Sequence, residues 1–437
     1  MVNSIVMKLN LSNLDPIKHG EIELGDITLF VGKPNTGKSL AMKALLYSLY
    51  CPNDLIELRG YPLELKDNSF LQRFVIDWDK TKENYRSFIR NSLPDGEFKL
   101  EPVNFSDFLL TQKLSYEERY VPISLPALYF PGKCSNKDIE RLSYLLNNAV
   151  YEISVNGDEG EVRVKADLSD VRETCLKDDE TLSSLSSVLM EIVQQRVNYQ
   201  YYKKFRECLK EKGIYAVNYL PFNRTFLTLQ DLMFQGEVGN LTNSNKYDIR
   251  IYELVKPLLK GRLKYIGEKL VYTKGDKIIP WEAVPTSVLE IMSFLLFIKE
   301  NGMILYEEPE AHLHEELQLL MAIVLYALSS FYRIVISTHS QTIFYTITHL
   351  SMLKPTKEEL KGLFEDLKVR DYEALAEAVE KANQKDVKVK IYHFTEGEVK
   401  EVSVEEAVRG LPGTKDVLEK EFRWFSSLHS KRLFGET

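Results

Sequence analysis

An apolar, β-forming run, Ile27-Thr28-Leu29-Phe30-Val31, enters Gly32-Lys33-Pro34-Asn35-Thr36-Gly37-Lys38-Ser39, and the helix-forming stretch Leu40-Ala41-Met42-Lys43-Ala44-Leu45-Leu46 follows. The pattern G-x-x-x-x-G-K-S has physical meaning only between a strand and a helix, and that is its setting here. Backbone N–H groups of such a loop form an anion cradle, reinforced by the positive end of the helix dipole. Lys38 is placed to reach β- and γ-phosphates, and the Ser39 hydroxyl to bind Mg2+. The stretch therefore predicts a phosphate-binding loop spanning Gly32 to Leu40.

The chain has 437 residues, enough for two or three domains. Its 44% apolar and 27% charged residues are ordinary for a globular protein. No apolar run approaches the roughly 18 to 20 residues that span a bilayer. The longest, Val288 to Ile298, carries Glu290. The N-terminal residues lack the layout of a signal peptide, so no membrane association and a cytoplasmic location are expected. The net charge of −8 argues against whole-molecule electrostatic binding of nucleic acid, leaving a local basic groove open. Cys51, Cys134, Cys175 and Cys208 form no C-x-x-C pair and read as reduced structural thiols.

Along the chain, Ile5–Leu11 and Ile22–Leu24 running on to Ile27–Val31 read as strands, with Gly20 and Gly25-Asp26 as turns. Residues 55–213 carry no catalytic signature. Within them, Tyr151–Val155 and Glu161–Lys165 around Asn156–Gly160 read as a hairpin, and Asp179–Gly213 reads as a long helix. Its later half, from Tyr199, is basic and aromatic, suiting either a nucleic-acid contact or, more simply, a solvated helix with a packing face. Strand-like runs return at Ile214–Leu220, Met303–Tyr306 and Arg333–Ile336. The last two flank an apolar helix near Glu315–Ser329, a parallel βαβ unit with polar residues at the strands' C-terminal ends. The tail offers a charged helical stretch, a hairpin at Val387–Phe394 and Glu398–Val404, and a closing helical segment. The expected fold is α/β, with mixed and parallel sheet. Residues 1–54 with 214–352 form the principal domain, 55–213 an inserted lobe of helices and hairpin, and 353–437 an extension packing on the principal domain.

Glu307-Glu308-Pro309-Glu310 follows an apolar strand. Phosphoryl transfer needs an acidic residue near magnesium and a base that orients water. Glu307 suits the first role, directly or through water, and Glu308 the second. His339 closes the next strand among Ser337, Thr338, Ser340 and Gln341, and its imidazole suits a hydrogen bond to a γ-phosphate. His312 and His314 lack the further ligands of a zinc site and read as structural or dimer-contact residues.

These pieces, in this order, resemble the ABC-class ATPase heads of the SMC-like and OLD-type group (AAA domain-containing ATP-binding proteins). Gly32–Ser39 is similar to their Walker A loop, and Tyr219-Leu220-Pro221-Phe222-Asn223-Arg224 to their Y-[LI]-P-A-x-R strand end. Leu305–His314 is similar to their Walker B and D-loop, Ile336–Ser340 to their switch-histidine strand, and Val387–Val404 to their C-terminal hairpin. The resemblance covers about half of the chain and implies ATP and Mg2+ as ligands. It implies a head-to-tail homodimer with two ATP molecules sandwiched between Walker A of one subunit and the signature loop of the other. By position Glu308 is then the catalytic base, His339 the γ-phosphate sensor, and Glu310–His314 part of the dimer seam. The signature loop departs from the family pattern. In Pro285-Thr286-Ser287-Val288, Thr286 stands for a serine and Ser287 for a glycine, which adds a side chain where backbone approaches phosphate. Slow or partner-dependent turnover is expected.

Three functions follow. The first is an ATP-hydrolysing switch acting with a partner protein or with DNA in genome maintenance or anti-virus defence; no nuclease signature follows in the tail. The second is a nucleotide sensor that dimerises and scarcely turns over. The third, a transporter's nucleotide-binding subunit, fits poorly, because about 250 residues separate Gly32–Ser39 from Thr286.

Overall fold

The computed structural model describes residues 6–52, 55–66, 69–111, 114–120, 134–165, 171, 178–225, 248–267, 269–298 and 302–410. It divides into two compact units, one of residues 1–49, 93–104 and 209–437, the other of 50–92 and 105–208.

The first unit is built on a nine-stranded sheet in the order Val217–Leu220, Met303–Glu307, Arg333–Ser337, Ile27–Gly32, Val389–Phe394, Gly397–Val402, Ile17–Leu24, Met7–Leu14 and Glu97–Glu101. The first five of these strands run parallel. The rest form a mixed half, joined by the antiparallel pairing of Val389–Phe394 with Gly397–Val402. The fold is therefore the expected α/β one with mixed and parallel sheet.

The three central parallel strands, Met303–Glu307, Arg333–Ser337 and Ile27–Gly32, are nearly continuous buried runs rather than alternating ones. Met303–Glu307 is buried at every position, as strands covered on both faces are. The Glu315–Leu328 helix is buried along all of Leu320–Leu328, so it too is covered all round. It packs against the helices Gln341–Leu353 and Glu373–Lys385. The extension past residue 353 is not an appendage to this sheet: Val389–Phe394 lies inside it, beside Ile27–Gly32. Beyond the short helix Val404–Val408, the expected closing helical segment falls outside the described residues.

One turn expectation is corrected. Gly20 lies within the Ile17–Leu24 strand, and the hairpin turns at Asp15-Pro16. Glycine is needed at position 20 for closeness: a Cβ there would sit 2.9 Å from Val399 Cγ2 of the neighbouring strand. A small three-stranded sheet, Arg262–Ile266, Lys269–Lys274 and Lys277–Ile279, completes the strands of this unit.

The second unit holds a sheet in the order Leu58–Gly60, Ser69–Ile76, Glu159–Lys165, Val150–Gly157 and Leu114–Tyr120, with Glu64–Lys66 also pairing Ser69–Ile76. The expected hairpin is Val150–Gly157 with Glu159–Lys165, and the long helix runs Asp179–Glu211. Its aromatic residues are divided. Tyr201 and Phe205 are buried against Phe105 and Phe108, whereas Tyr199 is exposed. Packing thus claims part of the basic, aromatic stretch. Cys134 is disulfide-bonded, contrary to the expectation of reduced thiols, while Cys51 and Cys208 are free. Among the described residues no helix is long and apolar enough to cross a membrane.

Candidate nucleotide site

The site forms where three parallel strands end side by side. Phe30, Ser337 and Glu307 are in register across Ile27–Gly32, Arg333–Ser337 and Met303–Glu307, so the polar residues after each strand emerge at one edge. A cavity of about 350 Å³ opens there. Pro34, Asn35 and Gly37–Leu40 line it on one side, Glu308, Ser337 and His339 on another, and Pro16 of the neighbouring hairpin also borders it.

The loop is shaped by two glycines. Gly32 has φ 137°, and a Cβ on it would lie 2.3 Å from the Phe394 carbonyl oxygen. Gly37 has φ 98° and caps the Lys38–Ser48 helix, with Ile17 2.6 Å from where its Cβ would be. Both positions combine positive φ with no room for a side chain. No side chain caps that helix, so its first N–H groups have no side-chain acceptor. Thr36 closes the loop by donating to the Lys33 carbonyl at 2.8 Å. Lys38 is buried and donates from Nζ to the carbonyls of Gly32 at 2.9 Å and Lys33 at 2.7 Å. Burial lowers its pKa to about 8, against the opposing pull of Glu308 and Glu310. Ser39 and Lys33 are exposed.

Glu308 lines the cavity from a left-handed backbone conformation, φ 46°, costly for a non-glycine residue. Its N–H donates to the Ser337 carbonyl at 2.8 Å, tying the two strand ends together. Glu307 is buried. Its Oε1 has no hydrogen-bond partner, and burial raises its pKa, with Tyr219 and the Phe222 backbone opposing the shift. The buried Ser337 hydroxyl likewise lacks a partner. His339 stays exposed. The cavity walls that cover part of it lower its pKa, Lys38 adds to that, and Glu308 opposes it.

The orphaned oxygens at Glu307 and Ser337 and the exposed Ser39 hydroxyl are donors of the type a hard cation takes. Among the described residues no group of three or more His, Cys, Asp or Glu could hold a metal by itself. The donors present suit Mg2+, which binds through one or two carboxylates together with substrate phosphates.

Sequence reasoning singled out Gly32–Leu40, Glu307, Glu308 and His339; of these, Pro34, Asn35, Gly37–Leu40, Glu308 and His339 line the cavity, and Glu307 does not. It passed over Ser337, Pro16 and the internal role of Glu310. The Glu310 carboxylate accepts from the N–H groups of His339 at 2.6 Å and Ser340 at 3.1 Å, and from the Thr338 hydroxyl at 2.8 Å. Burial raises its pKa despite those donors. Of these three, only Ser337 had a usable signal, its place level with Glu307 in a parallel pair. Thr286 and Ser287 do not line the cavity. They begin the Thr286–Phe297 helix behind Pro285, with Thr286 exposed and Ser287 half-buried.

No protein-family model matches the chain, and no curated protein matches it. Among solved structures it is similar to the SMC head domain from Thermotoga maritima, at 10% identity over 91% of this chain and 98% of that one, with a TM-score of 0.33. It is also similar to an SMC head bound to the C-winged helix domain of ScpA, at 13% identity over 93% and 99% of the two chains, with a TM-score of 0.34. Both likenesses are remote.

Proposed function

We infer that the protein is an ATP-binding and ATP-hydrolysing switch whose composite sites form when two copies meet head to tail. The observation that carries this reading is the single cavity lined by Lys38 and Ser39, Glu308 and His339, residues about 270 to 300 positions apart in the chain. A phosphate cradle alone would bind nucleotide. A carboxylate and an imidazole lining the same cavity supply what hydrolysis needs besides.

In this reading the loop N–H groups and Lys38 hold the phosphates, and Ser39 and Glu307 hold Mg2+. The metal would supply neutralisation of charge on the β- and γ-oxygens. Glu308 accepts a hydrogen bond from the attacking water, and His339 donates to the γ-phosphate. The lowered pKa of that imidazole leaves the ring neutral at neutral pH, and the neutral ring still carries one N–H to donate. Thr286 and Ser287, away from this chain's own cavity, are left to serve the partner copy.

Steady-state ATPase assays on the wild type, Glu308→Gln and Lys38→Ala test the reading. Glu308→Gln should bind ATP, stall hydrolysis by at least about a hundredfold and accumulate as a dimer with ATP, measured by light scattering. Lys38→Ala should lose binding. Wild-type turnover no faster than that of Lys38→Ala would sink the enzyme reading. It would leave the second one, a sensor that dimerises on ATP without appreciable turnover, which the side chain at Ser287 favours. Action with a partner protein or with DNA is tested by ATPase stimulation against salt concentration. A DNA-linked role predicts stimulation that fades as salt rises.

A further inference from the structure

Arg224 is wholly buried, and each of its five N–H donors is engaged. Nε and Nη2 contact Glu290 Oε1. Nη1 donates to the carbonyls of Pro221 at 2.9 Å and Glu307 at 2.7 Å, and Nη2 donates to that of Glu308 at 2.9 Å. The guanidinium carbon lies over the Tyr306 ring, 4.5 Å from its centroid. The Tyr306 hydroxyl donates to Glu290 Oε1 at 3.1 Å, and the Thr225 hydroxyl donates to Glu290 Oε2.

The two ends of this cluster lie at different places. Glu290 stands four residues after Thr286, one helical turn along the same face, so it moves with the start of that helix. At the other end the carbonyls before and after Glu308 are both held by Arg224, and its N–H is held by Ser337. The left-handed backbone of Glu308 persists because these three bonds over-determine it.

We propose that Arg224 is a positioning residue that couples the Thr286-Ser287 helix start to the orientation of Glu308 in the same chain. The inference rests on the reading of Glu308 as the group that acts on water. Whatever displaces the helix start displaces Glu290, and a guanidinium with every donor committed cannot follow it without releasing a carbonyl beside Glu308. The phosphate of one composite site thereby sets the carboxylate of the other. Lysine cannot substitute, because its compact three-donor head cannot serve a carboxylate and three carbonyls in a planar fork.

The test uses the full chain as wild type, Arg224→Lys, Glu290→Gln, Tyr306→Phe and the apolar double variant Arg224→Met/Glu290→Leu. Replacing a buried ion pair by apolar side chains often preserves stability, so the double variant separates folding from positioning. Tyr306→Phe is the mild arm, removing one hydroxyl from Glu290 and keeping both charges. Without nucleotide, amide deuterium exchange over residues 303–309 should quicken at least about tenfold in the double variant, with 27–32 unchanged. Its kcat should fall at least about tenfold with KM for ATP within about threefold of wild type. Tyr306→Phe should shift both readouts in the same direction by less. A folded double variant with wild-type exchange at 303–309, or with kcat within about twofold of wild type, overturns the coupling. Absence of turnover in the wild type overturns the reading of Glu308 instead, and the exchange measurement alone then decides the coupling.

Discussion

Glu310 Oε1 accepts the backbone N–H of His339 at 2.6 Å, so the acidic turn after one strand fixes the histidine after the next. A carboxylate that accepts three hydrogen bonds at a strand end is a positioning device, and a charged acceptor makes each bond stronger than a neutral one would be.

Glu310→Gln keeps the shape and turns one of the two acceptor oxygens into a donor that faces N–H groups. Loss of charge-assisted bonds to a buried acceptor should cost about 2–3 kcal/mol of unfolding free energy, read by denaturant titration. The displaced His339 should lower kcat by about ten- to a hundredfold with smaller effect on ATP affinity. Wild-type kcat in a destabilised Glu310→Gln protein would mean that Glu310 serves folding alone.

Lys38 titrates near pH 8 because burial disfavours its charged form. It is cationic below that pH and neutral above it, and bound phosphate favours the cation. ATP affinity should therefore be full below pH 8 and weaken above it. Binding at about pH 9 should take up a proton, visible by calorimetry in two buffers of different ionisation enthalpy. Stability has the opposite slope: the native chain binds fewer protons than the unfolded chain between about 8 and the ordinary lysine value of 10.5, so this group's contribution improves as pH rises through that window.

Glu307 has a raised pKa, caused chiefly by burial. Without metal, the native state holds its proton to higher pH than the unfolded chain does. Its contribution to stability is therefore lost as pH rises through the folded pKa. Glu307→Gln should leave the protein without nucleotide as stable as wild type or more so at pH 7. It should also raise the Mg2+ concentration needed for ATP-dependent thermal stabilisation by at least about tenfold. A variant with unchanged Mg2+ dependence would remove Glu307 from the metal site.

Gly32→Ala and Gly37→Ala both force a side chain onto positive φ, but they differ in what it meets. At position 32 the obstacle is the Phe394 carbonyl oxygen at 2.3 Å, part of the sheet backbone; at 37 it is the Ile17 side chain. Gly32→Ala should be the more destabilising, by more than the roughly 1–3 kcal/mol of backbone strain alone, with Gly37→Ala near that range. Melting temperatures of the pair give the ranking directly.

How much of this was legible before folding depends on the range of the signal. Strand Ile27–Gly32, its loop and the Lys38–Ser48 helix were readable because adjacent residues carry the β-run, the glycines and the helix formers. The polar strand ends that carry Glu307-Glu308 and His339 were readable for the same reason. The turn at Asp15-Pro16 was missed because Gly20 looked like a breaker, while its actual role is to admit Val399, about 380 residues away.

The sequence by itself determined the strand, loop and helix from Ile27 to Ser48 and the acidic and histidine strand ends, since each is a local pattern of side-chain chemistry. Only the tertiary structure decided that Ile27–Gly32 lies parallel beside Arg333–Ser337 with Phe30, Ser337 and Glu307 in register, that Val389–Phe394 enters the sheet beside Ile27–Gly32, and that Arg224 is buried between Glu290 and the Glu308 turn. The physical reason is that pairing between distant segments is set by total burial and hydrogen-bond satisfaction, which no short stretch of sequence encodes.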